Sequence, residues 1–497
     1  MPNHLNLLFI YTDQQAISTL GCYGNPVIET PNMDRLAVES VLFENCYVTQ
    51  PLCTPSRASL LNGLYPHACG CTTNNIPLSL DIPCLPEIGD FRAYRTCHNG
   101  KWHLGDEIFP QHGFQEWIGT EDTYRRYWRP WRDKNARSPY FQFLLDNGFQ
   151  PDTTFPDGAP CFSRPFCCRV PEEYSKPAFQ AREAARYIRE HAAEPFVLYV
   201  NFLEPHHPYF GCRDGQYPPA DVLLPPDFTA YPTEEQPLKA QLMRRGVYEG
   251  GLETHALQTE ADWRQLISNY WGNVSLVDTH MGHILAALDE AGLRENTIIV
   301  FTSDHGDMMG SHGMLGKCTM FEEAIKVPLM LHIPGVTTAG RRIRERVGQI
   351  DVVPTLLEAL EQPLPDHLQG HSWLPWLRGE GELVEKNVYI EWGGGETGIV
   401  PGARIRETMP DYWREMATPD EVVAALTDPL RTIITPEGFK YTWSTLGDDE
   451  LYNLNNDPYE TENLAHRASY RRVVQSLREQ IRDWQRRTGD GVQFAEG

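Results

Sequence analysis

The run Cys53-Thr54-Pro55-Ser56-Arg57 places a nucleophile, a helix start and a cation in five consecutive residues. Pro55 suits a first helical turn, Ser56–Asn62 is helix-like, and Gly63 is placed to end it. Cys53 then sits at a helix N-terminus, where backbone N–H groups and the helix dipole favour an anion and lower a thiol pKa. A cysteine alone reads more simply as a buried structural residue; the flanking Pro55 and Arg57 argue for chemistry. Four more polar groups each follow a short apolar run. They are Asp13-Gln14 after Leu7–Tyr11, and Gly100-Lys101-Trp102-His103 after the weaker Ala93–Cys97. The others are Glu204-Pro205-His206 after Phe196–Phe202, and Ser303-Asp304-His305-Gly306-Asp307 after Thr297–Phe301.

The apolar runs, with a fifth at Pro328–Ile333, read as buried parallel strands. Helical patterns lie between them: Ala181, Ala184, Ala185 and Ile188 share one face, and so do Leu276, Ile284, Leu285 and Leu288. The alternation predicts an α/β fold with a large, doubly wound, mostly parallel sheet. Ligands bind at the carboxyl ends of such strands, so the four polar groups should converge on one edge. Residues 115 to 175, rich in aromatic residues, Arg and Pro, and the Pro-rich residues 208 to 260 read as excursions from the sheet. Beyond about residue 380, Val388–Trp392, Arg431–Ile434 and Lys440–Trp443 resemble short antiparallel strands. Val473, Val474, Leu477, Ile481 and Trp484 then form one face of a terminal helix. The expected division is a catalytic domain over 1–380 and a smaller α+β subdomain over 381–497.

Bulk properties narrow the function. The 497 residues are 41% hydrophobic and 22% charged, so a core of normal size is expected. A net charge of −24 argues against nucleic acid and anionic membranes as partners. An anionic substrate would then need a local positive pocket. Twelve cysteines without framework spacing suggest a reducing compartment. Met1-Pro2-Asn3-His4 lacks the basic region of a signal peptide, and no apolar stretch spans a bilayer. The expected location is cytoplasmic, or periplasmic if a leader has been removed. Cys167-Cys168, Cys69 and Cys71 match no standard zinc site.

Cys53-x-Pro55-x-Arg57 followed by Ala58-Ser59-Leu60-Leu61-Asn62-Gly63-Leu64-Tyr65-Pro66 resembles the signature of the type I, formylglycine-dependent sulfatases of the alkaline phosphatase superfamily. The resemblance spans nearly the whole chain. It takes in Asp13-Gln14, Gly100–Gly105, Pro205-His206, Ser303–Asp307, Lys317, Ile350-Asp351 with Pro354-Thr355, and Leu451–Leu454 with Asp457-Pro458. It implies an alkaline-phosphatase-like sheet and oxidation of Cys53 to formylglycine by a formylglycine-generating enzyme or an anaerobic maturase. It further implies hydration of that aldehyde to a gem-diol. A diol hydroxyl on a divalent metal loses its proton readily, and its twin can later expel sulfate, which an ordinary Ser or Cys cannot do.

For the metal, the resemblance points to Asp13, Gln14, Asp304 and His305 with the modified Cys53. Carboxylates and an amide oxygen suit a hard cation; calcium is the first choice, with manganese or magnesium as alternatives. Many relatives carry Asp-Asp where this chain has Asp13-Gln14, which makes the site less negative. Asp304 alone reads as a helix N-cap after a strand. By resemblance, Arg57 and Lys101 brace the formylglycine and the sulfate, His103 is the base, and His206 and Lys317 bind the ester and protonate the leaving oxygen. His206 is preferred to His207 because it follows Pro205, and Lys317 otherwise reads as surface charge. Tyr124–Arg132 suits either an anionic sugar or a solvated loop. The resulting expectation is hydrolysis of a sulfate monoester on a sulfated carbohydrate, small or oligomeric, by a chain able to form a homo-oligomer. The alternatives are a phosphonate monoester or phosphodiester hydrolase of the same superfamily, a small aryl or choline sulfate sulfatase, and a glycan-binding protein in which Cys53 is never oxidised.

Overall fold

The computed structural model describes residues 4–229, 236–252, 255–394 and 404–494. Its strands are β1 (Asn6–Asp13), β2 (Val41–Tyr47), β3 (Arg95–Gly100), β4 (Glu116–Gly119), β5 (Thr153–Thr154), β6 (Pro160–Cys161), β7 (Phe196–Pro205), β8 (Thr297–Ser303), β9 (Lys326–His332) and β10 (Arg342–Gly348). β11 (Val388–Trp392), β12 (Leu430–Ile434), β13 (Phe439–Ser444) and β14 (Glu450–Asn453) follow. Eight of them form one sheet in the order β10-β2-β9-β8-β1-β7-β3-β4. β8, β1, β7, β3 and β4 run parallel, as expected for β8, β1 and β7 from their continuous apolar character and for β3 from its weaker run.

The sheet is buried on both faces, and β1 shows how. Leu7, Phe9 and Tyr11 join a core with the Cys53–Asn62 and Val352–Ala359 helices. Leu8 and Ile10 point the other way, into a core with the Lys176–Glu190 and Glu260–Glu290 helices. The alanine face of the first of these, and Leu276, Ile284, Leu285 and Leu288 of the second, are buried as their spacing predicts.

Three expectations need correction. β9 pairs antiparallel with both β8 and β2, so Pro328–Ile333 is not a parallel strand. Residues 115 to 175 are not wholly outside the sheet, since β4 is its edge strand. The 208 to 260 segment includes a helix, Leu238–Gly250, whose Leu242 packs on Ile405, Trp413 and Leu426.

β11 to β14 form a separate antiparallel sheet, ordered as in the chain. One face packs on the Arg471–Thr488 helix through Val474, Leu477, Ile481 and Trp484; Val473 lies at the margin of that contact. The other face sends Ile390, Leu430, Ile434 and Tyr452 into the main core.

Candidate active site

β8, β1, β7 and β3 are neighbours and parallel, so their carboxyl ends lie side by side. β1 ends at Asp13; Lys101 follows β3, His206 follows β7, and Asp304 follows β8. The Cys53–Asn62 helix points its N-terminus at this edge, and Gly63 closes it in a left-handed conformation (φ 69°). Cys53 is the first residue of that helix.

Arg57, one turn further on, is fully buried and ties the strand ends together. Its Nε donates to Asp304 Oδ2 (2.8 Å), Nη2 to Asp13 Oδ2 (2.8 Å) and Nη1 to the Lys101 carbonyl (2.9 Å). Lys101 Nζ also pairs with Asp13 Oδ2. The cations thus take the Oδ2 atoms. Asp13 Oδ1 is left 3.8 Å from both Cys53 Sγ and His305 Nε2, and Asp304 Oδ1 3.5 Å from His305 Nε2. His305 Nδ1 meets the Gly306 carbonyl at 3.0 Å, which requires a proton there and turns the Nε2 edge of the ring to Cys53 Sγ, 3.3 Å away.

One ligand atom from each of Asp13, Cys53, Asp304 and His305 lies within 4.8 Å of all the others. Two carboxylate oxygens and an oriented imidazole fit a divalent cation with mixed O/N preference. Gln14 lies beside them with positive φ (66°). Its Nε2 donates to Asp307 Oδ2 and Tyr209 Oη, both at 2.6 Å, which turns Oε1 toward Lys317 Nζ at 2.8 Å. Lys317 Nζ in turn donates to Cys53 Sγ at 3.0 Å. Asp304 precedes an irregular segment rather than a helix, so it is not an N-cap.

The electrostatics favour an anion at residue 53. Burial and Asp13 push the Cys53 thiol pKa up, but Lys101, Lys317 and His305 together hold it below its usual value. Burial would protonate Asp13, yet Lys101, then Arg57 and Lys317, keep it ionised. Burial, then Lys101 and Arg57, hold His103 far below the usual histidine range, so its ring is neutral. Its Nε2 meets Asn75 Oδ1 at 3.1 Å, while its buried Nδ1 lacks a hydrogen-bond partner among the described residues. Burial and the neighbouring His207 likewise keep His206 neutral, with Nδ1 on the His207 carbonyl (2.7 Å) and Nε2 4.0 Å from Asp13 Oδ1.

The sulfatase family profile matches residues 5–362. The chain belongs to the sulfatase family. It is a sulfuric ester hydrolase of that family. Among its relatives, the N-acetylglucosamine-6-O-sulfatase of Bacteroides thetaiotaomicron is 27% identical, over 98% of this chain and 87% of the relative. The iduronate 2-sulfatase of Homo sapiens is 29% identical, over 93% and 91%. The phosphonate monoester hydrolase of Silicibacter pomeroyi shares the fold, with a TM-score of 0.75 at 22% identity over 97% of this chain and 96% of that one.

The sulfatase site opens into a cleft of about 660 Å³ whose lining includes Cys53, His103, His206 and Lys317. Its outer wall comes from Tyr124, Arg126 and Tyr127 and from the β5–β6 hairpin. The Tyr124 ring lies against that of His103, centroids 4.1 Å apart and planes tilted by 32°. Sequence reasoning missed the residues that hold the reactive ones in place. Glu107 accepts from the Trp102 and His103 backbone N–H groups (both 2.7 Å), Asn75 holds His103, and Tyr209 and Asp307 orient Gln14. Of these, only Asp307 stood in a motif.

Proposed function

We propose that the protein hydrolyses a sulfate monoester of a sulfated carbohydrate, using formylglycine made from Cys53 and one divalent cation. The observation that carries this reading is the position of Cys53: first in a buried helix, 3.0 Å from Lys317 Nζ and 3.3 Å from His305 Nε2, beside two carboxylates. A thiol is a poor partner for a hard cation; an oxygen at that place would complete the donor set. Asp13, Gln14, Asp304 and His305 would hold the cation, with calcium preferred and manganese or magnesium as alternatives. Bound there, it would make a diol hydroxyl at residue 53 acidic enough to attack sulfur. Lys101 and Lys317 would neutralise the sulfate oxygens, and Arg57 would fix both carboxylates. The neutral His103 would accept the proton of the second hydroxyl through Nδ1. His206 would acquire its proton once the anionic ester lies beside it, and then donate to the leaving oxygen. Carbohydrate is preferred because relatives include an N-acetylglucosamine-6-O-sulfatase and an ulvan-active sulfatase.

The likeness to phosphonate monoester hydrolases supports a second reading, the same machinery acting on a phosphonate monoester. Parallel kinetics on a sulfate monoester and a phosphonate monoester separate the two. The first reading expects the higher kcat/KM on the sulfate; a phosphonate preferred by orders of magnitude would overturn it.

A further inference from the structure

The lining of the cleft over Cys53 includes a cation that the sulfate-ester machinery does not use, Arg126. The chain carries a net charge of −24, yet no Asp or Glu lines this cleft among the described residues, while Lys317, Arg126 and Arg164 do. A positive hollow in an acidic molecule concentrates anions locally and selects for their number.

The Arg-rich excursion supplies this charge unequally. Arg125 donates to Asp157 at 2.9 Å. Arg129 and Arg132 both donate to Asp106, at 2.7 and 2.9 Å. Arg164 donates to Glu121 at 2.9 Å and braces the Tyr124 hydroxyl at 2.8 Å. These guanidiniums build the wall. Arg126 differs: it is exposed, lines the cleft and has no carboxylate partner among the described residues. Its guanidinium lies over the Tyr127 ring, 4.6 Å from the centroid, with its hydrogen-bonding edge uncommitted to any acid. A guanidinium fork matches a carboxylate or a sulfate bidentately, and stacking on a ring limits the freedom it loses on binding.

We infer that Arg126, supported by Tyr127, binds a second anionic group of the substrate, on a sugar unit adjoining the one that carries the scissile ester. The substrate class is therefore an acidic oligosaccharide with at least two negative groups. This rests on the sulfate-ester reading above. The second group is a carboxylate or a sulfate, both planar or forked oxygen anions in their contact with arginine.

The test uses the mature full-length enzyme and three disaccharides with the same sulfate ester. One has no other charge, one a second sulfate and one a uronate carboxylate. The wild type should favour a doubly charged disaccharide. R126Q should reduce the ratio of kcat/KM values, doubly over singly charged, by about tenfold or more, mainly through KM. R126K should restore part of it, and the arm with the larger effect identifies the second group. Because the readout is a ratio within one variant, partial misfolding does not mimic it. A ratio that R126Q changes by less than about twofold overturns the inference. If the wild type hydrolyses none of the three, the carbohydrate-sulfate reading fails instead. Calorimetric binding of the same disaccharides then still decides the subsite: selective weakening of a doubly charged one by R126Q supports it, and equal or no weakening overturns it.

Discussion

Arg57 shows how one residue organises the site. Its guanidinium joins the carboxylates of Asp13 and Asp304, which come from two different strand ends, and all three side chains are fully buried. Removing one partner of such a cluster leaves uncompensated charge in a low-dielectric place. R57A should therefore lower unfolding stability by about 3–5 kcal/mol in denaturant titrations, and R57K should recover only part, because an ammonium cannot fork to two acids. The reactive residues were legible because their types are chemically unusual in their settings: a cysteine before Pro55 and Arg57, and acids and histidines straight after apolar runs. Their supports were not. Asn75 is 28 residues from His103, and Tyr209 is 98 residues from Asp307, so only the fold reveals these contacts.

At the scale of elements, what could be read depended on burial. β1, β7 and β8 lie inside the sheet and are buried throughout, so they appear as apolar runs. β4 and β10 are edge strands; β10, Arg342-Ile343-Arg344-Glu345-Arg346-Val347-Gly348, carries the charges edges tolerate and so resembles a loop. β9 was visible but its direction was not, since a doubly buried strand has the same composition either way. Turns at the strand ends set the side chains. Gly100, at φ +120°, would put a Cβ 2.1 Å from the Asn201 carbonyl oxygen. G100A should cost more than about 1 kcal/mol and shift Lys101. The displacement should lower kcat/KM by about a hundredfold, as steady-state kinetics would show. Asp351, in the turn before the Val352–Ala359 helix, gives a pH signature. Burial raises its pKa to about 7, although His371 N–H and Trp373 Nε1–H donate to it. Its folded pKa exceeds the unfolded one, so the folded state holds the extra proton. The associated stability is full below the usual carboxyl range and is lost as pH rises to about 7. Relative to D351N, the wild type should lose on the order of 3 kcal/mol between pH 4 and 8 in parallel denaturation curves.

The whole molecule sets a negative field around a positive cleft. Residues 5–362, matched by the family profile, supply every residue of the cation cradle and its positive partners, and the second sheet packs one face against the same core. Binding of a divalent cation to the folded state alone adds stability by mass action, about 2.7 kcal/mol at one hundred times its Kd. Chelation should therefore lower Tm and abolish turnover together, and calcium, manganese or magnesium should restore both to an extent that ranks the native metal. In the proposed reaction an oxygen of formylglycine, not the Cys53 sulfur, attacks the ester. The most direct measurement is mass spectrometry of the peptide containing residue 53, in preparations made with graded amounts of a formylglycine-generating enzyme, set against the sulfate-ester turnover of each. Turnover should be proportional to the aldehyde fraction and absent from a fully thiol preparation. Full turnover with an intact thiol at residue 53 would contradict it.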